Sequence, residues 1–300
     1  MKTLLVGYKA ADLTPELLEG DVTCHVLDVY HRHAIEKVWH AKCICAPHLP
    51  DGPWDVVKFK TGPKIHSGEL SLDLLQECHR LGCRVEVDFV GRERDRNDLL
   101  DKIKNDPTRV RSFKAEWPAS VPGGEKLVFT SYPGCFCHRR LDEGGLALAE
   151  VVSRELQERG DAGMRMLDMG CGCGLVGLLV AKSVPGVSLV MVDSHARAVE
   201  AAIENAAKFG IPAEVILADD GTPARMDGTF DIFVGNPPYY SDYRIAEVFL
   251  DTAVRALRPG GVCYTVVKNA AGLKPVQERY FTAAAETKRR GYSVLRSRKE

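Results

Sequence analysis

Phe230-Asp231-Ile232-Phe233-Val234-Gly235-Asn236-Pro237-Pro238-Tyr239-Tyr240 is the stretch that decides the fold. Its first half, Phe230 to Val234, is a short apolar run of the kind that forms a strand covered on both faces. Its second half is a stiff polar turn. Two consecutive prolines have no backbone N–H to give and fix φ at each position. The carbonyls of Asn236 and Pro237 are thereby held out as acceptors, beside an amide side chain and the Tyr239 ring. This chemistry suits a planar amine attached to an aromatic ring. Such an amine is a poor nucleophile, because its lone pair is delocalised into the ring. Two acceptors on its N–H groups would hold it and favour its pyramidal, nucleophilic form. They would also stabilise the positive charge that grows as it attacks, the reverse in sign of an oxyanion hole. Tyr239 would stack on the ring, a contact of roughly 1–3 kcal/mol. The same residues also read, more plainly, as a Pro-Pro turn ending a strand, with Tyr239 as packing.

Upstream, Met164 to Leu179 (MRMLDMGCGCGLVGLL) reads as a strand, a glycine loop and a helix. Gly170, Gly172 and Gly174 let the backbone approach a ligand closely, and the helix N-terminus offers N–H groups to a polar one. Gly172-x-Gly174-x-x-Gly177 formally matches the dinucleotide fingerprint, so a nicotinamide enzyme competes. Asp168 weighs against it: a carboxylate two residues before the first glycine suits an ammonium and is awkward beside a pyrophosphate. The next strand, Val187 to Val192, ends in Asp193, where an acidic residue bonds ribose hydroxyls in either cofactor. Ala198 to Phe209 is a helix closed by Gly210. Glu214 to Leu217 is a third strand and ends in Asp219-Asp220. Singly, each Asp is an ordinary cap or solvated turn. In register, followed by the Asn-Pro-Pro-Tyr turn at a fourth strand end, they line the crevice where open α/β sheets bind ligands.

The N-terminal third alternates strand and helix. Strands are expected at Lys2–Val6, Cys24–Val29, Lys42–Cys45, Trp54–Phe59 and Arg84–Val90, with helices at His31–Trp39, Leu70–Leu81 and Arg92–Lys104. This is a βαβ pattern and implies a parallel sheet. Asn105 to Gly124 carries three prolines and two glycines and is the candidate linker. Leu141 to Leu156 reads as helix. Past the central stretch, Ala246–Leu257 reads as helix, Arg258-Pro-Gly-Gly261 as a turn, Val262–Val267 as strand, Pro275–Arg290 as helix and Gly291–Arg296 as a last strand. Lys288, Arg289, Arg290, Arg296, Arg298 and Lys299 make a basic end, and Arg139-Arg140 a second cluster, that could track phosphates.

The chain of 300 residues, 45% hydrophobic and 27% charged, has the composition of a soluble globular protein. Its net charge of −1 provides no global basic field for nucleic acid. The first apolar run is too short for a signal peptide, and no stretch approaches a membrane span. Ten cysteines without small-scaffold spacing point to reduced thiols and a cytoplasmic location. The spacing around His31-Arg32-His33 and Cys43/Cys45 does not fit a structural zinc site, so no metal is expected.

LDMGCGCG, VDSHARAVEAAIENA, LADD, FDIFVGNPPYY and LRPGGVCYTVV together resemble a class I S-adenosyl-L-methionine (SAM)-dependent methyltransferase over roughly Tyr132 to Glu300. PGCFCHRRLDEGGLAL, ahead of the glycine loop, resembles more narrowly the methyltransferase small domain family, which includes bacterial ribosomal RNA guanine-N2 methyltransferases of the RsmC and RlmG type. That resemblance implies an α/β chain of two tandem Rossmann-like methyltransferase domains. The first, residues 1–118, would be degenerate. The second, residues 119–300, would be a seven-stranded SAM-binding sheet. The sequence echoes such a duplication, His40–Lys64 against the stretch ending in NPPYY, and Val26–Glu36 against VMVDSHARAVE. In the first copy the glycine loop has become Gly7-Tyr8-Lys9-Ala10 and the Asn-Pro-Pro-Tyr turn Lys60-Thr61-Gly62-Pro63, so it should not bind SAM.

By the same resemblance, Asp168, Gly170, Gly172 and Gly174 would surround the methionine part of SAM. Asp193 would hold the ribose, Asp220 or Asp219 the adenine amine, and Phe136 and Asp142 would close over the cofactor. Asn236, Pro237 and Tyr239 would hold the target base, guanine N2 of ribosomal RNA, in free RNA or in a ribosomal subunit. The family's guanine enzymes often have Phe where this chain has Tyr239, which keeps adenine-N6 and protein-glutamine methylation as alternatives. A glutamine methyltransferase would carry a helical substrate domain in front, and the N-terminal region here reads as βαβ. A monomer is expected.

Overall fold

A computed structural model of the chain describes residues 1–104, 111–120, 124–160, 163–219, 227–238 and 243–300. The chain divides into two compact units. The first is Met1–Lys114 with Tyr132–His138 and His195–Arg197; the second is Ala115–Ser131, Arg139–Ser194 and Ala198–Glu300.

The first unit contains strands β1 (Lys2–Val6), β2 (Asp21–Val26), β3 (Cys43–Cys45), β4 (Val56–Thr61) and β5 (Arg84–Phe89), and helices α1 (Val29–Trp39), α2 (Gly68–Arg80) and α3 (Glu93–Lys104). The strands form one sheet in the order β3-β2-β1-β4-β5, and every pairing in it is parallel. The apolar runs predicted this, since a parallel sheet is covered on both faces. Leu4, Leu5, Val57 and Phe59 are 0% exposed. Asp28 caps α1 by accepting from Tyr30 N at 2.8 Å, and Ser67 caps α2 by accepting from Leu70 N at 3.2 Å, each satisfying a backbone donor the helix leaves unpaired.

The second unit opens with an antiparallel hairpin, β6 (Ala115–Ser120) and β7 (Lys126–Ser131). There follow α4 (Glu143–Arg159), β8 (Arg165–Met169), α5 (Leu175–Ser183), β9 (Ser188–Asp193), α6 (Ala196–Phe209, whose first two residues fall in the first unit), β10 (Ala213–Leu217), β11 (Phe230–Gly235), α7 (Arg244–Ala256), β12 (Leu257–Val267), α8 (Ala270–Gln277), β13 (Ala285–Arg289) and β14 (Tyr292–Arg298). Seven of these strands form one sheet, in the order β10-β9-β8-β11-β12-β14-β13. The first five run parallel, and β14 and β13 add on antiparallel. The α/β class and the seven-stranded sheet are therefore as expected. Among the described residues no helix is long and apolar enough to cross a membrane.

Three readings of the sequence need correction. The expected linker Asn105–Gly124 contains β6, and the expected boundary after residue 118 falls inside that strand. Its prolines misled, because a strand paired on one side only tolerates proline. Trp117 and Phe129 face each other across the hairpin, with ring centroids 5.2 Å apart, and both are buried. The helix expected at Pro275–Arg290 is instead the end of α8 followed by β13. Arg290 (φ 50°) and Gly291 (φ 71°) turn the chain from β13 into β14, the two left-handed residues a tight hairpin needs. The Arg258-Pro-Gly-Gly261 turn lies within β12, where the register with β11 shifts between Phe230 and Ile232.

Candidate active site

β8 and β11 are neighbours in the sheet but not in sequence: from β8 the chain first builds outward through β9 and β10, then returns to lay down β11 on the other side. Ligands bind at such a switch point, outside the carboxyl ends of the strands. Register carries the candidate residues there. Asp168 on β8 lies opposite Val234 on β11 and Met191 on β9. Asp193 ends β9, opposite Leu217 at the end of β10. Gly235 ends β11 opposite Met169, so Asn236, Pro237 and Pro238 emerge at the same edge as Asp168 and Asp193.

Asp168 is 2% exposed, and its Oδ2 accepts from Gly177 N at 2.8 Å. Burial, with a contribution from the charge of Asp193, pushes its carboxyl up to about 7, against the pull of that N–H. Removing a carboxylate from water without a full set of partners disfavours its ionised form, and a nearby cation restores it. The Oδ2 atom of Asp193 accepts from Gly172 N at 2.8 Å, which ties the glycine loop to the end of β9.

The three glycines are not equivalent. All take left-handed φ, at 66°, 57° and 86° for Gly170, Gly172 and Gly174. A Cβ on Gly170 would stand 2.6 Å from the Phe249 ring, and one on Gly174 2.8 Å from Leu178. These two are glycines because the core behind them is full. A Cβ on Gly172 would meet nothing within 4 Å, so Gly172 is the member of the loop that faces open space. The N–H groups of Gly170, Cys171, Gly172, Gly174 and Gly177 are taken up inside the fold, so it is the open cradle at Gly172 and the two carboxylates that suit a ligand with an ammonium and a ribose.

Asn236 is half-buried, and its Nδ2 donates to Asp142 Oδ2 at 2.8 Å. Asp142 is also the cap of α4, accepting from Gly144 N at 3.1 Å. Pro237 is buried and Pro238 half-buried. Asp219 follows β10 and is half-buried. Phe136 is 68% exposed and belongs to a segment of the first unit. Asp220 and Tyr239 lie outside the described residues.

Two residues the sequence reading passed over help to build the site. Phe249 of α7 lies beneath both Gly170 and Gly235, and a Cβ on Gly235 would stand 2.9 Å from it. Asn205 of α6 is 0% exposed. It donates to the carbonyls of Cys173 and Thr130, both at 2.9 Å, and accepts from Thr130 N at 2.8 Å. The sequence did signal Asn205: it stands in the apolar stripe Ala198, Ala201, Ala202, Ala206, Phe209, where a polar side chain must find partners.

The basic C-terminal end is largely spent on internal pairs. Arg289 and Arg290 both bind Glu150, Arg290 also meets Glu143 at 3.0 Å, and Arg296 meets Glu155 at 3.1 Å. Lys288 meets Glu286 at 2.6 Å, and Lys299 donates to the carbonyls of Val254 and Leu257. The reading of this run as a phosphate-tracking patch therefore loses most of its charge.

Comparison with known proteins fits this geometry. Ribosomal RNA small subunit methyltransferase C of Pseudomonas aeruginosa (strain UCBPP-PA14) is 34% identical over 182 residues, covering 57% of this chain and 52% of the relative. The protein of that name from Hahella chejuensis is 35% identical over 160 residues, 51% of this chain and 44% of the relative. The chain thus matches about half the length of these curated relatives. Among solved structures, the Thermus thermophilus 16S rRNA N2 G1207 methyltransferase (RsmC), in complex with AdoMet and guanosine, superposes with a TM-score of 0.83. It does so at 20% identity, over 100% of this chain and 88% of its own, so it shares the two-unit fold. The family profile described as methyltransferase small domain matches residues 126–296, more than half of the sequence. The chain therefore belongs to the methyltransferase small domain family.

Proposed function

We propose that this protein is a SAM-dependent methyltransferase acting on an exocyclic amine of a nucleic-acid base, guanine N2 of small-subunit ribosomal RNA. The observation that carries the reading is the emergence of Asn236-Pro237-Pro238 from β11, beside β8 and at the same sheet edge as the carboxylates of Asp168 and Asp193. An acceptor-rich turn next to a cradle suited to an ammonium and a ribose supports a reading in which a methyl donor and an amine would share one crevice. The names of the relatives and the guanosine in the Thermus thermophilus complex favour guanine and ribosomal RNA. The first unit is an α/β sheet and not a helical bundle, which speaks against a protein-glutamine target.

SAM supplies a methyl group on a sulfonium, an electrophile that needs no activation by the protein. The residues would then share five tasks. Asp168 would face the ammonium, which would hold it ionised. Asp193, which fixes the loop through Gly172, would bind the ribose, and Asp219 or Asp220 would meet the adenine amine. Asn236 Oδ1 and the Pro237 carbonyl accept the two N–H groups of the target amine and aim its lone pair. Tyr239 stacks on the base once the nucleotide has left its own stack. Most of the catalysis is positioning, and the surplus proton leaves after transfer, so no strong base is required.

The test is incubation of the protein with methyl-labelled SAM and unmodified small-subunit RNA or subunits, followed by nucleoside analysis. N2-methylguanosine is the expected product. Label in N6-methyladenosine would correct the base, and no label in RNA would overturn the reading. Thermal shifts with SAM and with NAD check the cofactor, and only SAM should stabilise the protein.

A further inference from the structure

Besides the role over the cofactor that family likeness implies for Asp142, its carboxylate has two partners within the fold. One oxygen accepts from Gly144 N at 3.1 Å, and the other accepts from Asn236 Nδ2 at 2.8 Å. An ionised carboxylate only accepts hydrogen bonds. The group of Asn236 that faces it must therefore be the NH₂, and the carbonyl Oδ1 is turned the other way. A flipped amide would set oxygen against oxygen at that distance.

The start of α4 is shaped around this arrangement. Gly144 and Gly145 stand together in its first turn, where each glycine costs helix stability relative to alanine. A Cβ on Gly145 would sit 2.7 Å from Asp142 Oδ2, and a Cβ on Gly144 3.1 Å from the Tyr292 ring. The glycine pair leaves room for the carboxylate to lie where it meets Asn236. We infer that Asp142 is a positioning residue that locks the Asn236 amide with its oxygen toward the crevice, and so commits the site to substrates presenting an N–H donor. The carboxylate behind the amide also polarises it, which strengthens Oδ1 as an acceptor for a nitrogen gaining positive charge. This inference rests on the methyltransferase reading above.

Asp142→Asn tests it with little change in volume. Asparagine is as good a cap as aspartate, so α4 keeps its N-terminus. With its oxygen on Gly144 N, the new side chain turns an NH₂ toward Asn236. The Asn236 amide should then rotate and present the wrong atom. The expected result is a fall in kcat of about 10²-fold, comparable with loss of one preorganised hydrogen-bonding group, with the Kd for SAM unchanged. The double variant Asp142→Asn/Asn236→Ala should be no slower than Asn236→Ala alone, because the two residues act as one unit. Gly145→Ala, which crowds the carboxylate without removing it, should lower kcat in the same direction. In ¹⁵N spectra the Asn236 side-chain NH₂, identified by its loss in Asn236→Asp, should exchange slowly in the wild type and fast in Asp142→Ser, which keeps the cap but is too short to reach.

A wild-type-like kcat in Asp142→Asn, or a loss confined to SAM affinity, would overturn the inference. So would an Asn236 NH₂ indifferent to Asp142→Ser. If the wild type transfers no methyl to RNA, the methyltransferase reading fails, and the exchange measurement still decides whether Asp142 holds the amide.

Discussion

At the end of β1 the chain turns through Gly7, and at the end of β8 it turns through Gly170. The strands around these two turns run in the same order, β3-β2-β1-β4-β5 in the first unit and β10-β9-β8-β11-β12 in the second. Register gives the equivalences. Leu5 stands where the second unit has Asp168, Val26 where it has Asp193, and Lys60 where it has Asn236. Leu5 is 0% exposed and Val26 5%. The turn is as tightly packed as at Gly170, but against different groups. A Cβ on Gly7 would stand 2.5 Å from the Lys60 carbonyl and 2.9 Å from the His66 ring. Burial pushes His66 down to about 4, so the ring packed there is neutral. The Lys60 ammonium is held by Asp12 at 2.9 Å. Where the second unit has two carboxylates and an amide, the first has two hydrocarbons and a lysine on the same order of strands. One strand order thus carries two different sets of strand-end side chains, and it is those side chains that separate the two units chemically.

The largest test of this contrast is Asn236→Ala, which removes the one side chain that Lys60 cannot imitate. Methyl transfer to RNA should fall by ~10²–10³ in kcat with SAM binding intact, measured with labelled SAM; unchanged turnover would make the Asn-Pro-Pro turn mere structure. Next is Leu5→Asp, which writes the functional residue into the degenerate turn. It buries an unpaired carboxyl in place of a core leucine and should cost about 3 kcal/mol or more. The urea midpoint should drop, and no second SAM site should appear by calorimetry. A gain of SAM binding would mean that the first unit had kept its cleft.

A third test uses pH. The carboxyl of Asp168 is raised from 3.8 to about 7, chiefly by burial. Between those values the folded protein keeps a proton that the unfolded chain has released. Stability without ligand should therefore fall as pH rises through this window and level off above it. Asp168→Asn should flatten that slope in urea unfolding, while Leu5, at the equivalent position, contributes none. A bound ammonium favours the carboxylate, so SAM affinity should rise across the same range. The smallest effect is expected from Gly172→Ala. Nothing blocks the Cβ, so the cost is the left-handed φ alone, about 1–2 kcal/mol, and should show as weaker SAM binding. Gly170→Ala, which must push into Phe249, should lose more stability.

Much of this was legible beforehand because apolar runs, glycine turns and strand-end carboxylates are local signals. β8, β9, β11 and the helices between them fall within a few residues of where the pattern put them. What the sequence hid was set by partners distant in the chain. Ala285–Arg289 is polar enough for a solvated helix face and becomes a strand only because β14 pairs with it. The basic run looked like a surface for phosphates until Glu143, Glu150 and Glu155 on α4 claimed its arginines. Asp142 was picked out by motif, but its hydrogen bond to a residue 94 positions away appears only in three dimensions.

The hairpin β6–β7 has a practical consequence. The family profile starts at residue 126, the first residue of β7, and leaves β6 behind. An expression fragment cut there would strip Trp117 from Phe129 and uncover a strand edge. Thr130 of that same strand shares Asn205 with the Cys173 carbonyl of the glycine loop. A fragment intended to isolate the second unit would tend to aggregate, and its weakened glycine loop could be mistaken for dependence on the missing N-terminal half. Starting the fragment at Ala115 avoids both.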